Sequence, residues 1–257
     1  MRVNQGGNNM PAFTGPRFLT PSEIRDAVTG AKDFAPLGSR AETFDGRLFR
    51  AMEVGAVALT RGNLLQGPAN EANHTNQVVG DAAAVGDMFI NVDLGATAVT
   101  ANQYGDGYIV MNDAAGEGIA YHVGGHAAAV LSATSVRINL TEPVEVALTA
   151  DTSEYTLHSI WRDVIQNPTT ATNIVVGVAD IGYAINDFFW GQVWGVASVL
   201  QEASSASTVI NGGVVGSDTT AGAVENTANG VTTHKEVAKA LVANVDGEHN
   251  GVFLQIG

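Results

Sequence analysis

Residues 188–200 read FFWGQVWGVASVL, with Asn186 and Asp187 directly before them. Thirteen apolar-rich residues are too few to cross a bilayer as a helix, for which about 20 are needed. The Phe, Trp and Val content suits a strand covered on both faces. Strand alternation puts Phe188, Trp190 and Trp194 on one face and Phe189 on the other. Two of the three tryptophans of the chain lie in this run. It is therefore read as either a central core strand or a subunit interface, where aromatic anchors concentrate.

Outward from this run the strand signal repeats. Strand-like segments stand at 47–51, 56–61, 87–94, 107–112, 118–123, 136–140, 155–160, 175–178, 208–210, 214–215, 241–245 and 252–256. Between them lie Gly, Asn and Asp turns such as Asp45-Gly46, Asp113 to Glu117, Asn211-Gly212-Gly213 and Asp246-Gly247. This spacing predicts a mainly β protein of antiparallel β-sandwich or small-barrel architecture, not βαβ units. One short helix of about nine residues is expected from Thr20-Pro21-Ser22-Glu23. Thr20 caps it, Pro21 fits its first turn and Glu23 completes a capping box. A second helical period is conceivable only over His234 to Leu241. No internal repeat is evident. The polar run Asn167 to Asn173 suggests a soft boundary. The organisation read from sequence is an N-terminal arm (1–36), a β domain (37–166) and a second β region (167–257), with 1–16 a Gly/Asn-rich tail. Removing residues 1–35 is expected to leave the β core folded.

Composition excludes several chemistries. The 257 residues include no cysteine, so disulfides, thiolate-bound metals and thiol catalysis are ruled out. Charge is sparse (15% of residues) and the net charge is −14, which argues against binding nucleic acid or anionic membrane. The balance is uneven. Residues 1–61 carry eight Lys/Arg against six acids, and the remainder four against twenty. The basic N-terminal quarter, with Arg2, Arg17 and Arg25, is read as a region with its own partner.

Catalytic signatures are weak. Asp151-Thr152-Ser153 looks like one half of an aspartic-protease pair. Its only possible mate, Asp218-Thr219-Thr220, lacks the small third residue, which leaves a strand-entry turn or a site shared across a dimer. His122 and His126 have helical metal-ligand spacing, but Gly124-Gly125 between them opposes a helix. Phosphate-loop, dinucleotide and nucleophile-elbow patterns are absent. No catalytic residue, cofactor or metal ligand is assigned.

Five runs carry a family resemblance: LGSRAETFDGRLFRAMEVGAVALTRGNLLQ (37–66), TANQYGDGYIVMNDAAGEGIAYHVGGHAA (100–128), LTEPVEVALTADTSEYTLH (140–158), NPTTATNIVVGVADIGYAINDFFWGQVWGVASVL (167–200) and LVANVDGEHNGVFLQI (241–256). Together they resemble head decoration (cement) proteins of tailed bacteriophages of aquatic and cyanobacterial hosts. That resemblance implies a non-enzymatic virion protein on the outer capsid surface. It would bind the major capsid protein as a homotrimer at local threefold positions. The interface candidates are then Arg2, Arg17, Arg25, Phe188, Trp190 and Trp194. The alternative reading is a head-fibre or tail adhesion subunit that recognises host glycans.

Overall fold

The computed structural model describes residues 17–29, 34–202, 210–227, 235–243 and 247–256. The chain is mainly β, with two sheets. It opens with β1 (Arg17–Phe18), β2 (Val28–Thr29), β3 (Arg40–Glu42), β4 (Leu48–Glu53) and β5 (Leu64–Gln66). Next come β6 (Gln77–Val78), β7 (Phe89–Val92), β8 (Tyr108–Asp113), β9 (Ala120–His126), β10 (Val136–Leu140) and β11 (Glu154–His158). The remainder are β12 (Ile165–Gln166), β13 (Val175–Val178), β14 (Asp187–Leu200), β15 (Gly213–Gly216), β16 (Val224–Asn226), β17 (Glu236–Ala240) and β18 (His249–Gln255).

The smaller sheet has the order β6-β11-β8-β9-β10-β7, with every pairing antiparallel. Its two ends meet. Val79 bridges Val92, Gly80 N–H donates to Asn91 C=O at 2.9 Å, and Asp93 N–H donates to Val78 C=O at 3.1 Å. The sheet thus closes into a small barrel, which removes its open edges. Ile90, Ile109, Met111, Tyr121, Ile138 and Tyr155 fill its interior. Closure is possible here because strands such as VRINL alternate strictly, buried at Val136, Ile138 and Leu140 and exposed between them.

The larger sheet runs β1-β3-β4-β14-β18-β17-β15-β16, with β5, β12, β13 and β2 attached to its side. It curls until β16 meets the far end of β14. There Gln201 bridges Val224, and Glu202 N–H donates to Val224 C=O at 3.0 Å. All strands of the small barrel come from 77–158, between β5 and β12, and those two strands are hydrogen-bonded neighbours (Ile165 opposite Gln66). The barrel is therefore an excursion from the larger sheet. The polar run 167–173 lies inside the larger sheet, between β12 and β13, and does not separate the two sheets.

Several local expectations change. The capping box at Thr20 forms, but the helix is only Pro21–Ile24, because Val28 is drawn into pairing with Phe188 of β14. The segment Glu236–Ala240 is a strand paired with β18, not a helix; His234 lies outside the described residues. Residues 56–61 are not a strand. They contribute one bridge, Leu59 to Tyr183, followed by a turn.

That bridge-and-turn unit recurs. Leu59, Ala83, Val99, Ala129, Leu148 and Tyr183 each follow a small residue (Ala58, Ala82, Ala98, Ala128, Ala147, Gly182). Three positions beyond each stands a residue with positive φ: Gly62, Gly86, Asn102, Ser132, Asp151 and Asn186. The units pair reciprocally as Leu59–Tyr183, Ala83–Leu148 and Val99–Ala129, by bonds of 2.8–3.2 Å. An internal repeat is present after all. It escapes a sequence scan because its left-handed position accepts Gly, Asn, Asp and even Ser. Asp151 belongs to one of these turns. It sits in the barrel, whereas Asp218 lies between β15 and β16 of the other sheet, so the structure does not make a protease pair of them within one chain.

Candidate functional site

The long strand β14 organises the larger sheet, and its two faces meet different surroundings. Phe188 and Trp190 are buried in a cluster with Leu19, Ile24, Phe34, Leu37, Ala41, Phe49 and Ala51. The ring of Phe34 lies 5.1 Å from that of Trp190 and 6.0 Å from that of Phe188. Phe189 faces the opposite way, stacked on Tyr183 at 4.3 Å. The expected alternation of faces holds over this half of the strand.

This core is made partly by the N-terminal segment. β1 pairs with β3, β2 pairs with β14, and Leu19 and Ile24 are buried against the aromatic strand. The described part of the N-terminal arm is thus stitched into the sheet, and deleting residues 1–35 would remove one wall of a core. Arg17 packs over Trp190 at 5.3 Å and pairs with Glu23 at 3.6 Å. Arg25 pairs with Asp180 at 3.2 Å. Arg2 lies outside the described residues.

Beyond Gln192 the strand changes direction. Gln192 is opposite Phe49 and Trp194 opposite Leu48, so two steps on β14 match one on β4, and Val193 is a bulge residue. Gly195 follows with φ of +90°. Buried Gln192 donates its side-chain amide to the Trp194 and Val196 carbonyls at 3.1 and 2.8 Å. The N-terminal wall no longer covers this half. Trp194 is 36% exposed and Val196 54%. Trp194 meets Phe253 edge-on at 5.5 Å. The β3–β4 hairpin forms the far wall of an open groove lined by Asp45, Gly46, Arg47, Gly195, Val196 and Phe253. The same hairpin carries Phe44, 89% exposed, which stacks on Phe18 at 5.3 Å. Five apolar side chains thus stand at this end of the larger sheet: Trp194, Val196 and Phe253 at the groove, and the Phe18–Phe44 pair on the hairpin that walls it. Of the three aromatic candidates, Phe188 and Trp190 are core residues and Trp194 is a surface residue. Sequence reasoning missed Phe18, Phe44 and Phe253, since each comes from a separate strand or turn.

The seam between the two sheets is polar. Arg162 forms an ion pair with Glu53 and reaches toward the Gly105 carbonyl; Leu37 N–H donates to Asp106. Burial raises the pKa of both Glu53 and Asp163, against the pull of Arg162. Within the barrel, His126 Nε2 accepts from Tyr104 N–H at 3.1 Å while its Nδ1–H donates to Ala127 C=O at 2.9 Å. That fixes a neutral tautomer, and burial lowers the His126 pKa accordingly. His122 is instead at the surface, bonded to Thr141 at 3.1 Å. Neither ring is placed as a metal ligand, and among the described residues no group of three His, Asp or Glu could hold a metal ion.

Asp163 gives a clean pH test. Its carboxyl has no hydrogen-bond partner among the described residues, and its backbone φ of +57° suits Asn equally. Because its folded pKa is raised above the ordinary 3.8, its ionisation opposes folding as pH rises past that value. Asp163→Asn should therefore melt higher than the wild type at pH 7, and the difference should close below pH 3.8. Thermal melts across pH decide it. A variant less stable at pH 7 would mean that attraction to Arg162 outweighs burial.

No protein-family model, no curated protein and no solved structure matches this chain.

Proposed function

We propose that the protein is a non-enzymatic virion component that decorates the outside of a phage capsid as a homotrimer, with the major capsid protein as its partner. The observation that carries this reading is the uncovered end of β14. Trp194 and Val196, with Phe253, Phe44 and Phe18 beside them, present aromatic and branched side chains in one place on an otherwise folded, closed architecture. Aromatic residues at a desolvated centre are what protein interfaces enrich. The paired tight turns and the closed barrel favour a rigid building block. A trimer of such blocks gains avidity on a repeating shell without any one strong contact. The resemblance of the strand and turn runs to decoration proteins supports the same reading.

Light scattering on the eluting full chain should give a mass of about 80 kDa, three times 26.6 kDa. Val196→Asp places a charge in the exposed groove and should shift that mass to the monomer while leaving the melting temperature within about 2–4 °C. Phage heads stripped of decoration should retain the wild type on co-sedimentation and lose the variant. A wild-type monomer that also fails to sediment with heads would overturn the proposal.

A further inference from the structure

A second feature stands apart from the apolar end of β14. At the bulge, a cavity of about 480 Å³ opens between β13, β14 and the turn after Leu59. Its polar lining is Arg25, Arg61, Asp180, Gln192, Ser198 and His249. Two arginines against one carboxylate make it a locally positive site on a chain of net charge −14.

Three groups in the lining are prepared for a ligand. The Arg61 guanidinium has no ion-pair or hydrogen-bond partner among the described residues, although the backbone carbonyl of Arg61 is held by His249 Nε2–H at 3.1 Å. Asp180 uses Oδ2 for Arg25 at 3.2 Å, which leaves Oδ1 to accept. Gln192 is only 2% exposed. Both of its amide N–H groups are spent on the bulge carbonyls, so the amide cannot flip, and its Oε1 is an acceptor without a partner among the described residues. That oxygen is not sealed from solvent, so water satisfies it in the free protein and a ligand hydroxyl would take the water's place. The apolar part of the lining, Val178, Ala179, Ile181 and Ala197, gives a floor for a ring.

We propose that this cavity binds an acidic monosaccharide unit, a hydroxylated ring bearing one carboxylate. Arg61 takes the carboxylate, as guanidinium geometry favours. Asp180 Oδ1 and Gln192 Oε1 accept from ring hydroxyls. A simple carboxylate supplies no hydroxyl donors for those two acceptors, and a neutral sugar offers Arg61 only neutral hydroxyl acceptors in place of a charge-assisted, bidentate carboxylate. The volume lies within the usual range for small-molecule sites, about 300–1,000 Å³. This inference is independent of the capsid reading.

The test is calorimetric titration of the full chain with sodium glucuronate, its methyl ester and sodium acetate. Glucuronate should bind with a Kd on the order of 1 mM. Ester and acetate should each bind at least about tenfold more weakly. Arg61→Ala changes an exposed side chain with no structural partner, so it should fold normally and lose glucuronate binding by a similar factor. Arg137→Ala, on the barrel, should change nothing. Four results would overturn the proposal: no heat with glucuronate, ester binding as well as the acid, acetate binding as well as glucuronate (a general anion patch only), or full affinity in Arg61→Ala. Co-sedimentation of Arg61→Ala with stripped heads separates this site from the capsid interface, since that variant should still bind them.

Discussion

Trp190→Ala should destabilise the protein by about 3–5 kcal/mol, the scale for removing a large aromatic from a closed core. The indole is 2% exposed. Phe34 and Arg17 pack on it at 5.1 and 5.3 Å, and Phe49, Leu19 and Ile24 share its cluster. These neighbours come from three separate stretches of chain, two of them anchored to the sheet by strand pairing, so they cannot readily collapse into the space the ring leaves. In a chain of this size the loss corresponds to a fall in melting temperature of roughly 6–20 °C. Trp194→Ala is the internal comparison. That ring is over a third exposed, and truncating it in the isolated subunit should cost under about 1 kcal/mol. Urea denaturation of the two variants side by side checks both. Equal losses would mean that the wall built by Leu19, Ile24 and Phe34 does not close over Trp190.

Gly107→Ala should cost about 3 kcal/mol or more, beyond the ordinary penalty of overpacking. A methyl group there would run into the backbone carbonyls of His158 and Tyr104. Both are fixed: Gly107 N–H donates to Tyr104 C=O at 2.9 Å, and β8 pairs with β11 up to Tyr108 opposite His158. Unlike a clash with a flexible side chain, this one can be relieved only by parting two barrel strands. Gly118→Ala separates the steric effect from the conformational one. Gly118 has φ of +85° and open space where a Cβ would stand, so only the left-handed conformation is penalised, at about 1–2 kcal/mol. Denaturation midpoints for the pair should differ accordingly. A milder Gly107→Ala than Gly118→Ala would show that β8 and β11 can part easily at that end.

The local signals were legible where they rest on neighbours in sequence. The capping box at Thr20, the Asp45-Gly46 hairpin, the alternation of 136–140 and the covered strand at 188–190 all follow from short-range chemistry. Boundaries failed where a distant strand intervened. The helix after Thr20 stops early because Phe188 recruits Val28, and residues 56–61 give up strand geometry because Tyr183 offers a single bridge. The same cause hid the exposed aromatic group. Trp194 reads like Trp190 in sequence, and only the end of the N-terminal wall distinguishes them. The barrel's nesting inside the larger sheet was not legible at all, since no composition change marks Gln66 or Ile165.

The three paired turns carry a consequence for how the chain can close on itself. They are concentric: Val99–Ala129 lies within Ala83–Leu148, which lies within Leu59–Tyr183. Loop-closure entropy grows with the logarithm of the free segment, about 0.6 kcal/mol for each doubling. Once the innermost pair has formed, the free chain left for the middle pair is only the two short spans that flank it, and the outermost pair inherits the same shortening. The concentric arrangement makes a route of short closures available to a topology of long-range contacts, each closure shortening the span of the next.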